Sequence, residues 1–338
     1  MIQAWQTFLK QQGAKIEQDQ VVGFESATGQ AGICPLNRWQ LFRISGADAA
    51  TFMQGQFSND VRQLNGSNSQ LSSYNSPKGR MYSCFVLFKH QENFYLRLPG
   101  EIAAQVIKRL RMFVMRSAVV IDDVSEQFVH LGIIGSTSEL QHAGLPAPTD
   151  ERGFQEHQGI LILRAAGASP RFELFVPVDQ AQTIWSQLTP HLSPAAEQQW
   201  ELAEIRAGQP DIYQTTLEAF VPQMANLDLI GGISFNKGCY TGQEIVARTH
   251  YLGKQKKRMY LLRTSSTAVQ TGDKLFEHNS DNTQSIGEIV RAATNEQGGQ
   301  DFLAVMQIKS CQADLRLHSI EGEACTLLPQ PYELPLGE

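Results

Sequence analysis

The stretch GGISFNKGCYTGQE, from Gly231 to Glu244, places one cysteine, Cys239, between a lysine and the predicted start of a helix. Thr241 and Glu244 have the spacing of a capping box, in which the threonine side chain accepts a helical backbone N–H and the glutamate reaches back to the cap residue. Lys237 and the free N–H groups of a helix start both favour a thiolate. The segment therefore predicts a reactive thiol at Cys239 supported by Lys237, although a lone cysteine is also often a small buried apolar side chain.

Three blocks of sequence carry a family resemblance that extends this segment. They are LNRWQLFRISGADAATFMQGQFSNDV (Leu36–Val61), EQQWELAEIRAGQPDI (Glu197–Ile212) and FVPQMANLDLIGGISFNKGCYTGQEIVAR (Phe220–Arg248). In this order, and with KGCYTGQE as a signature, they resemble the YgfZ family, folate-binding proteins linked to tRNA modification and iron–sulfur enzyme maintenance. The resemblance covers most of the chain. It is weakest before residue 30, between residues 126 and 190, and after residue 263.

The length of the chain and its mixture of predicted helices and strands favour several domains of α+β structure. A chain of 338 residues exceeds what one hydrophobic core usually supports. Apolar periodicity predicts helices over 45–55, 101–111, near 138 and over 180–188, and strands over 39–44, 81–88, 94–98, 118–124, 129–134, 161–164 and 172–176. Closely spaced short strands over 259–262, 286–290, 302–308 and 315–320 predict a small barrel or sandwich.

The resemblance implies a more specific architecture, which is that of the glycine-cleavage aminomethyltransferases. Two ferredoxin-like α+β domains and a C-terminal antiparallel β-barrel would surround a central folate cavity. We place the first α+β domain, with the folate-binding block, at 1–124 and the second, ending in the KGCYTGQE segment, at 125–253. The barrel takes 254–338, and the first two domains can exchange segments.

Two tryptophans are the candidate folate-binding residues. A large aromatic face suits the flat rings of a folate. By resemblance, Trp39 and Trp200 match two tryptophans associated with folate binding in the family, and the implied cofactor is tetrahydrofolate or a derivative. Trp5 and Trp185 lie outside the matching blocks, and we expect both in the core.

Two positions depart from the aminomethyltransferase pattern. Where those enzymes carry a paired aspartate thought to assist one-carbon transfer, PKGRMYS has Tyr82 and Ser83. General acid–base catalysis on an amine needs a titratable group within hydrogen-bonding distance. The aminomethyltransferase mechanism is therefore not supported at these two positions. Arg206 in IRAGQP stands where relatives commonly have a glutamate available to hold the pterin. This arginine predicts an altered mode of pterin recognition.

Composition limits the partners of the chain. No apolar run approaches the length of a membrane span and the N-terminus lacks the pattern of a secretory signal, so we expect a cytoplasmic protein. Five scattered cysteines fit neither a disulfide framework nor a metal site. A net charge of −6 argues against a generally basic surface that would bind nucleic acid. The run GKQKKRMY, with Lys254, Lys256, Lys257 and Arg258, is interpreted as a solvated turn before a strand, with a basic rim for folate carboxylates or RNA as the alternative.

Two functional hypotheses follow from the resemblance and the departures. The first is a folate-binding accessory protein that uses Cys239 in maintaining iron–sulfur enzymes, such as those that methylthiolate tRNA. The second is a folate-dependent one-carbon or aminomethyl transferase on an unidentified substrate. Because no carboxylate stands at Tyr82 or Ser83, the first hypothesis is favoured. Direct tRNA binding is a weaker third, since the sequence shows no continuous basic stripe.

Overall fold

The computed structural model describes residues 2–25, 32–253, 255–278 and 284–335. In these ranges the α-helices are α1 (Gln3–Gln11), α2 (Ala49–Gln54), α3 (Gly100–Val114), α4 (Thr137–His142), α5 (Ala181–Leu188), α6 (Glu197–Arg206) and α7 (Gln243–Tyr251). The strands are β1 (Ala14–Glu17), β2 (Gln20–Phe24), β3 (Gly32–Pro35), β4 (Trp39–Ser45), β5 (Ser69–Asn75), β6 (Met81–His90), β7 (Asn93–Pro99), β8 (Val120–Asp123), β9 (Phe128–Ile134), β10 (Phe154–His157), β11 (Ile160–Arg164), β12 (Arg171–Pro177), β13 (Ser193–Pro194), β14 (Lys257–Thr264), β15 (Lys274–Glu277), β16 (Gly287–Thr294), β17 (Gln300–Gln307), β18 (Leu315–Leu317) and β19 (Ala324–Leu327).

The chain divides into two compact units that exchange segments. The first unit takes in the described residues up to Ala49, Arg62–Gln70 and Val86–Ala203. The second unit takes in Ala50–Val61, Leu71–Phe85 and the described residues from Glu204 onward. The division into three domains at 124 and 253 stays a prediction.

A six-stranded sheet organises the first unit, in the order β10-β11-β12-β9-β3-β13. Its neighbours are antiparallel apart from β3 and β13. Alternate residues of β9, including Val129 and Leu131, enter a core that also receives residues of α1, α4 and α5. Trp5 and Trp185 meet there edge to face with ring centroids 5.7 Å apart, which confirms that both are core residues.

A second antiparallel sheet of the first unit consists of β7, β4, β8 and the part of β6 that begins at Val86. Helix α3 packs on β7 and β4 and buries the predicted stripe of Ile102, Val106 and Leu110. The hairpin predicted across KHQEN is confirmed, since β6 pairs with β7 down to His90 opposite Asn93.

A closed antiparallel barrel forms the core of the second unit, in the order β14-β17-β16-β15-β18-β19. Its interior is apolar, with Leu262, Leu275, Phe302 and Met306 among the residues fully shielded from solvent. The short strands predicted after residue 254 therefore close into a barrel. Among the described helices, none is long and apolar enough to cross a membrane.

The basic run before the barrel is only partly the solvated turn that was expected. Lys254 lies outside the described residues. Lys256 is exposed, but β14 already begins at Lys257. Arg258 is only 6% exposed and binds Asp228 with both Nη atoms, at 2.6 and 2.9 Å. The expectation was wrong for Arg258 because a buried carboxylate compensates its charge.

Candidate functional site

Trp39 begins β4 and lines a cavity of about 410 Å³ in the first unit. Aromatic walls come from Trp39, Phe175 and Phe128. The polar part of the lining includes the amides of Asn37 and Gln40 and the carboxylates of Asp123 and Glu126. Ligand sites in proteins are typically clefts of roughly 300–1,000 Å³ with mostly apolar walls and a few polar groups. The cavity therefore has the size of a ligand site and an aromatic wall, with a lining that is more polar than usual.

The turn that presents Trp39 to this cavity is fixed by α6. The Oε1 atom of Glu197 accepts the backbone N–H groups of Asn37 and Arg38 at 2.9 and 2.8 Å. One turn further along α6, Glu201 lies 3.5 Å from the Arg38 guanidinium. Burial raises the pKa of Glu197, and the Arg38 N–H bond opposes that shift. Because the same helix carries Trp200, one element positions both candidate tryptophans.

Trp200 is deeply buried, with only 1% of its surface exposed. It shares an apolar cluster with Trp39, Cys34 and Leu36. A Cβ atom on Gly132 of β9 would lie 2.6 Å from Trp200 Cε3, so the indole packs directly on the strand backbone. The structure thus brings both predicted tryptophans into one cluster, with Trp39 on the cavity wall and Trp200 behind it.

A buried polar network joins the two tryptophans. The Arg97 guanidinium lies 5.1 Å from the Trp39 ring centre and its Nε lies 3.2 Å from Glu173 Oε2. Arg171 lies 5.7 Å from the Trp200 ring and adds a favourable charge interaction with Glu173. His130 Nε2 lies 2.9 Å from the same carboxylate oxygen. The carboxylate of Glu173 therefore interacts with both Arg97 and Arg171.

The network sets the charge states of its members. Burial opposes ionisation of Glu173, but Arg97, the His130 bond and Arg171 outweigh it and hold its pKa at about 2. Burial lowers the pKa of His130, although the Glu173 bond opposes this. A charged Glu173 beside a neutral His130 follows, with Nε2 of the histidine as the proton donor.

Sequence reasoning missed Arg97, Glu173 and Arg171. The available signal was a charged residue inside an apolar strand, as in FYLRLP and RFELFVP. Such residues are buried only when they are paired. Arg97 lies on β7, whereas Arg171 and Glu173 share β12, so the local pattern did not identify the pairing of Arg97 with Glu173.

Cys239 is an exposed thiol in a loop of the second unit. The residues on either side of Gly238–Cys239 are anchors: Lys237 and Tyr240 are both 7% exposed. The Lys237 ammonium donates to the carbonyls of Phe57 and Asn59 at 2.6 and 2.9 Å and lies 5.0 Å from the Tyr240 ring centre. Lys237 thus fixes the loop from inside while the thiol faces solvent, so the small buried alternative for Cys239 is wrong.

The loop before Cys239 is tied down by further hydrogen bonds in the second unit. Ser58 Oγ donates to the Gly232 carbonyl at 2.7 Å, and Asn59 Nδ2 donates to the Gly231 carbonyl at 2.8 Å. The Ser234 N–H donates to the Ser58 carbonyl at 3.0 Å. The segment that leads to the thiol is therefore held at several points by one stretch of chain.

The predicted capping box at Thr241 and Glu244 is wrong, although the helix begins where it was expected. Gly242 is the cap residue, with φ of 81°, and no side chain caps the helix. A Cβ atom there would lie 2.4 Å from the Ser76 carbonyl oxygen. A residue with a side chain would clash at this position, so the close approach of the two backbones determines how α7 starts.

The two departures from the aminomethyltransferase pattern both lie in the second unit, where Tyr82 and Ser83 are buried and Arg206 is partly exposed. Tyr82 and Ser83 lie in β6, and Ser83 Oγ donates to the Cys84 carbonyl at 3.1 Å. The Arg206 Nε donates to Asp301 at 2.9 Å, and its two Nη atoms bind Glu296 at 2.7 and 2.6 Å. Its guanidinium is thus occupied by carboxylates of the barrel region, which explains how a cation is tolerated there.

Sequence comparison finds relatives over nearly the whole chain. No protein-family model matches it. The chain is 30% identical over 318 residues to a "tRNA-modifying protein YgfZ" of Pectobacterium atrosepticum, covering 92% of this chain and 94% of the relative. It is 31% identical over 304 residues to the protein of that name from Pectobacterium carotovorum subsp. carotovorum, covering 88% and 91%.

Structural comparison gives the fold. The glycine cleavage system aminomethyltransferase T from Bartonella henselae superimposes with a TM-score of 0.79 over 96% of both chains, at 16% sequence identity. The expected aminomethyltransferase-like α+β fold with a C-terminal barrel is thereby confirmed. The chain is about 30% identical to the two Pectobacterium proteins over about nine-tenths of its length, and it therefore belongs to the YgfZ family.

Proposed function

We propose that the protein binds a tetrahydrofolate derivative and acts as an accessory protein in tRNA modification, where it maintains iron–sulfur enzymes. Its partners would include tRNA-methylthiolating proteins, through transient contacts made in the cytoplasm. The name of the relatives, which are tRNA-modifying proteins, supports the tRNA part of this proposal. The observation that carries the folate part is the cluster that holds Trp39 and Trp200 together beside a cavity.

Residues on one wall of this cavity support the folate part of the proposal. The Trp39 indole offers a flat face, and Asn37 and Gln40 offer amide groups for the ring edge. Folate, when bound, carries one-carbon units. The ion pair of Arg97 and Glu173 lies behind the Trp39 ring and holds it in place. In this arrangement Trp39 touches the ligand, and Trp200 and Glu173 are positioning residues.

The proposed role of Cys239 rests on its exposure and on its anchored loop. An exposed thiol at a fixed position can react with, or bind to, a group carried by a partner protein. The buried anchors Lys237 and Tyr240 hold the loop without covering the sulfur. Cys239 is therefore the key thiol of the proposal, with Lys237 supporting it through the loop backbone.

A folate-dependent one-carbon or aminomethyl transferase is the second candidate function. One observation favours it: the buried carboxylate of Asp211 has its Oδ1 3.9 Å from Cys84 Sγ, next to Ser83. Asp211 and Glu204, however, each lie 3.9 Å from Arg291 Nη1. Both carboxylates are thus engaged with a buried guanidinium, so the accessory role is the better supported function.

Quenching of tryptophan fluorescence by tetrahydrofolate tests the folate site. We expect saturable quenching of the wild-type protein and, for Trp39→Leu, a Kd raised about 2- to 12-fold, because aromatic stacking contributes roughly 0.5–1.5 kcal/mol. Trp39→Phe keeps a flat ring and should fall between the two. A Trp200→Ala variant would leave a large core cavity, so Trp200→Phe is the better probe of that position.

The matched control is Trp185→Phe, a core tryptophan of the same unit that does not itself line the cavity. Its affinity for tetrahydrofolate should equal that of the wild type. Equal affinities for Trp39→Leu and Trp185→Phe would show that Trp39 does not contact the ligand, and the folate assignment would then fail.

A further inference from the structure

Three aromatic rings pack together near the C-terminal end of α7. The rings of Phe235 and His250 are parallel, with centroids 3.7 Å apart and an interplanar angle of 13°. Tyr251 meets His250 edge to face at 4.7 Å and Phe235 at 6.2 Å. Phe235 is four residues before Cys239 in the chain, so the rings and the thiol belong to one continuous segment.

This ring cluster is exposed. Tyr251 is 64% exposed and the following Leu252 is 84% exposed. His250 is also exposed, while Phe235 is half-buried beneath it. Large exposed side chains that lie together usually mark an interaction site, because isolated ones are common but clusters are not.

Most charged residues in the sequence around the rings are positive, the exception being exposed Glu244 at the start of α7. Arg248 and Lys256 are exposed, and Lys257 is half-buried. From residue 245 to residue 257 the sequence contains no Asp or Glu, in a protein whose net charge is −6. The partial negative charge at the end of α7 opposes an anion here, but it is small compared with these full positive charges. The cluster is therefore a cationic, aromatic patch on an acidic protein.

We propose that Phe235, His250 and Tyr251 form a stacking surface for an unpaired base of tRNA, with Arg248 and Lys256 binding the adjacent phosphates. This inference rests on the proposed role in tRNA modification and deepens it by naming direct RNA contact. Aromatic faces stack with any base, and neighbouring cations follow the backbone, which is how single-stranded nucleic acids are commonly bound. The base would lie on the exposed outer face of the Tyr251 ring.

Two other occupants fit the patch less well. A second copy of the chain would bring identical cationic patches together across a two-fold axis, where like charges repel. A lipid surface needs a broad apolar face, and Leu252 is the only aliphatic residue in the exposed run 250–253. RNA satisfies both the rings and the charge.

Binding of a labelled, unmodified tRNA transcript, followed by fluorescence anisotropy, tests this site in the full-length protein. We expect Tyr251→Ala to raise the Kd about 5- to 100-fold, because base stacking contributes roughly 1–3 kcal/mol. Tyr251→Phe keeps the ring and should stay within about twofold. Arg248→Ala should reduce the slope of log K against log salt by about one. Since Tyr251 is an exposed residue, its replacement should leave the fold intact.

The matched control is Phe113→Ala, which removes another exposed aromatic residue near arginines, from α3 in the first unit. It should bind the transcript like the wild type. The inference is overturned if Tyr251→Ala also binds like the wild type, if the wild type shows no saturable tRNA binding at low salt, or if the variant instead abolishes self-association. Each of these results leaves tetrahydrofolate quenching unchanged. Absence of that quenching, with tRNA binding intact, would count against the proposed folate site alone.

Discussion

Replacing Glu173 with glutamine is expected to lower the free energy of unfolding by about 3–5 kcal/mol, the usual cost of removing one partner from a buried ion pair. Glutamine keeps the shape of the side chain but removes its charge. Arg97 and Arg171, both nearly inaccessible to solvent, would then lose the carboxylate that compensates them. Urea denaturation followed by far-ultraviolet circular dichroism measures the change.

The same substitution should change how stability depends on pH. The pKa of Glu173 is about 2 in the folded protein, against 4.5 for an ordinary glutamate. Its stabilising contribution is therefore complete above pH 4.5 and is lost as the pH falls towards 2. The difference between wild type and Glu173→Gln should be constant from neutral pH down to about 5 and should shrink below that.

His130 adds an earlier loss of stability on acidification. Its pKa is lowered from 6.5 in the folded protein, mainly by burial. The unfolded chain then binds a proton that the folded chain does not, so stability falls as the pH drops through about 6.5. Exposed Glu151 of the same unit provides a control: Glu151→Gln should match the wild type throughout. An unfolding free energy for Glu173→Gln equal to that of Glu151→Gln would contradict the buried network.

Replacing Lys237 with methionine is expected to abolish the support of tRNA modification, although the Cys239 thiol remains. Methionine keeps the unbranched stem but cannot donate to the carbonyls of Phe57 and Asn59. Loss of hydrogen bonds from a charged group costs about 1.5–3 kcal/mol each, offset in part because a buried charge is also removed. The loop around Cys239 should then lose its fixed position.

Two measurements check this prediction for Lys237→Met. Urea denaturation should show a stability loss of about 2–4 kcal/mol. The rate at which a disulfide reagent modifies Cys239 should also change, because the loop is no longer held. Lys309→Met, at an exposed lysine of the same unit, should behave like the wild type in both assays. An unchanged Lys237→Met protein that supports tRNA modification fully would show that the anchor is dispensable.

Local sequence patterns predicted much of the fold because apolar residues recur at a short, characteristic spacing in helices and in strands. The hairpin of β6 and β7, the buried stripe of α3 and the short barrel strands were all visible in this way. Helix α1 and strands β1 to β3, near the N-terminus, were not predicted. Several of these strands have only four or five residues, which is too short for a periodicity to be recognised.

The candidate site was predictable only in part. The sequence left open whether Cys239 is exposed or buried. In the structure Cys239 is exposed, whereas Lys237 and Tyr240 on either side are buried. The capping box failed because Gly242 approaches the Ser76 carbonyl, a contact between segments far apart in the chain. Likewise, the network of Arg97, Glu173 and Arg171 depends on which strands become neighbours.

The tRNA methylthiolation profile of a strain that lacks the gene, complemented with wild type or with Cys239→Ala, tests the proposed function most directly. The wild-type protein and a Cys311→Ala control, which removes a half-buried cysteine of the same unit, should restore the methylthiolated nucleosides. Cys239→Ala should leave them depleted, while its stability stays within about 0.5 kcal/mol of wild type because the side chain is exposed. Full restoration of methylthiolation by Cys239→Ala would contradict the account.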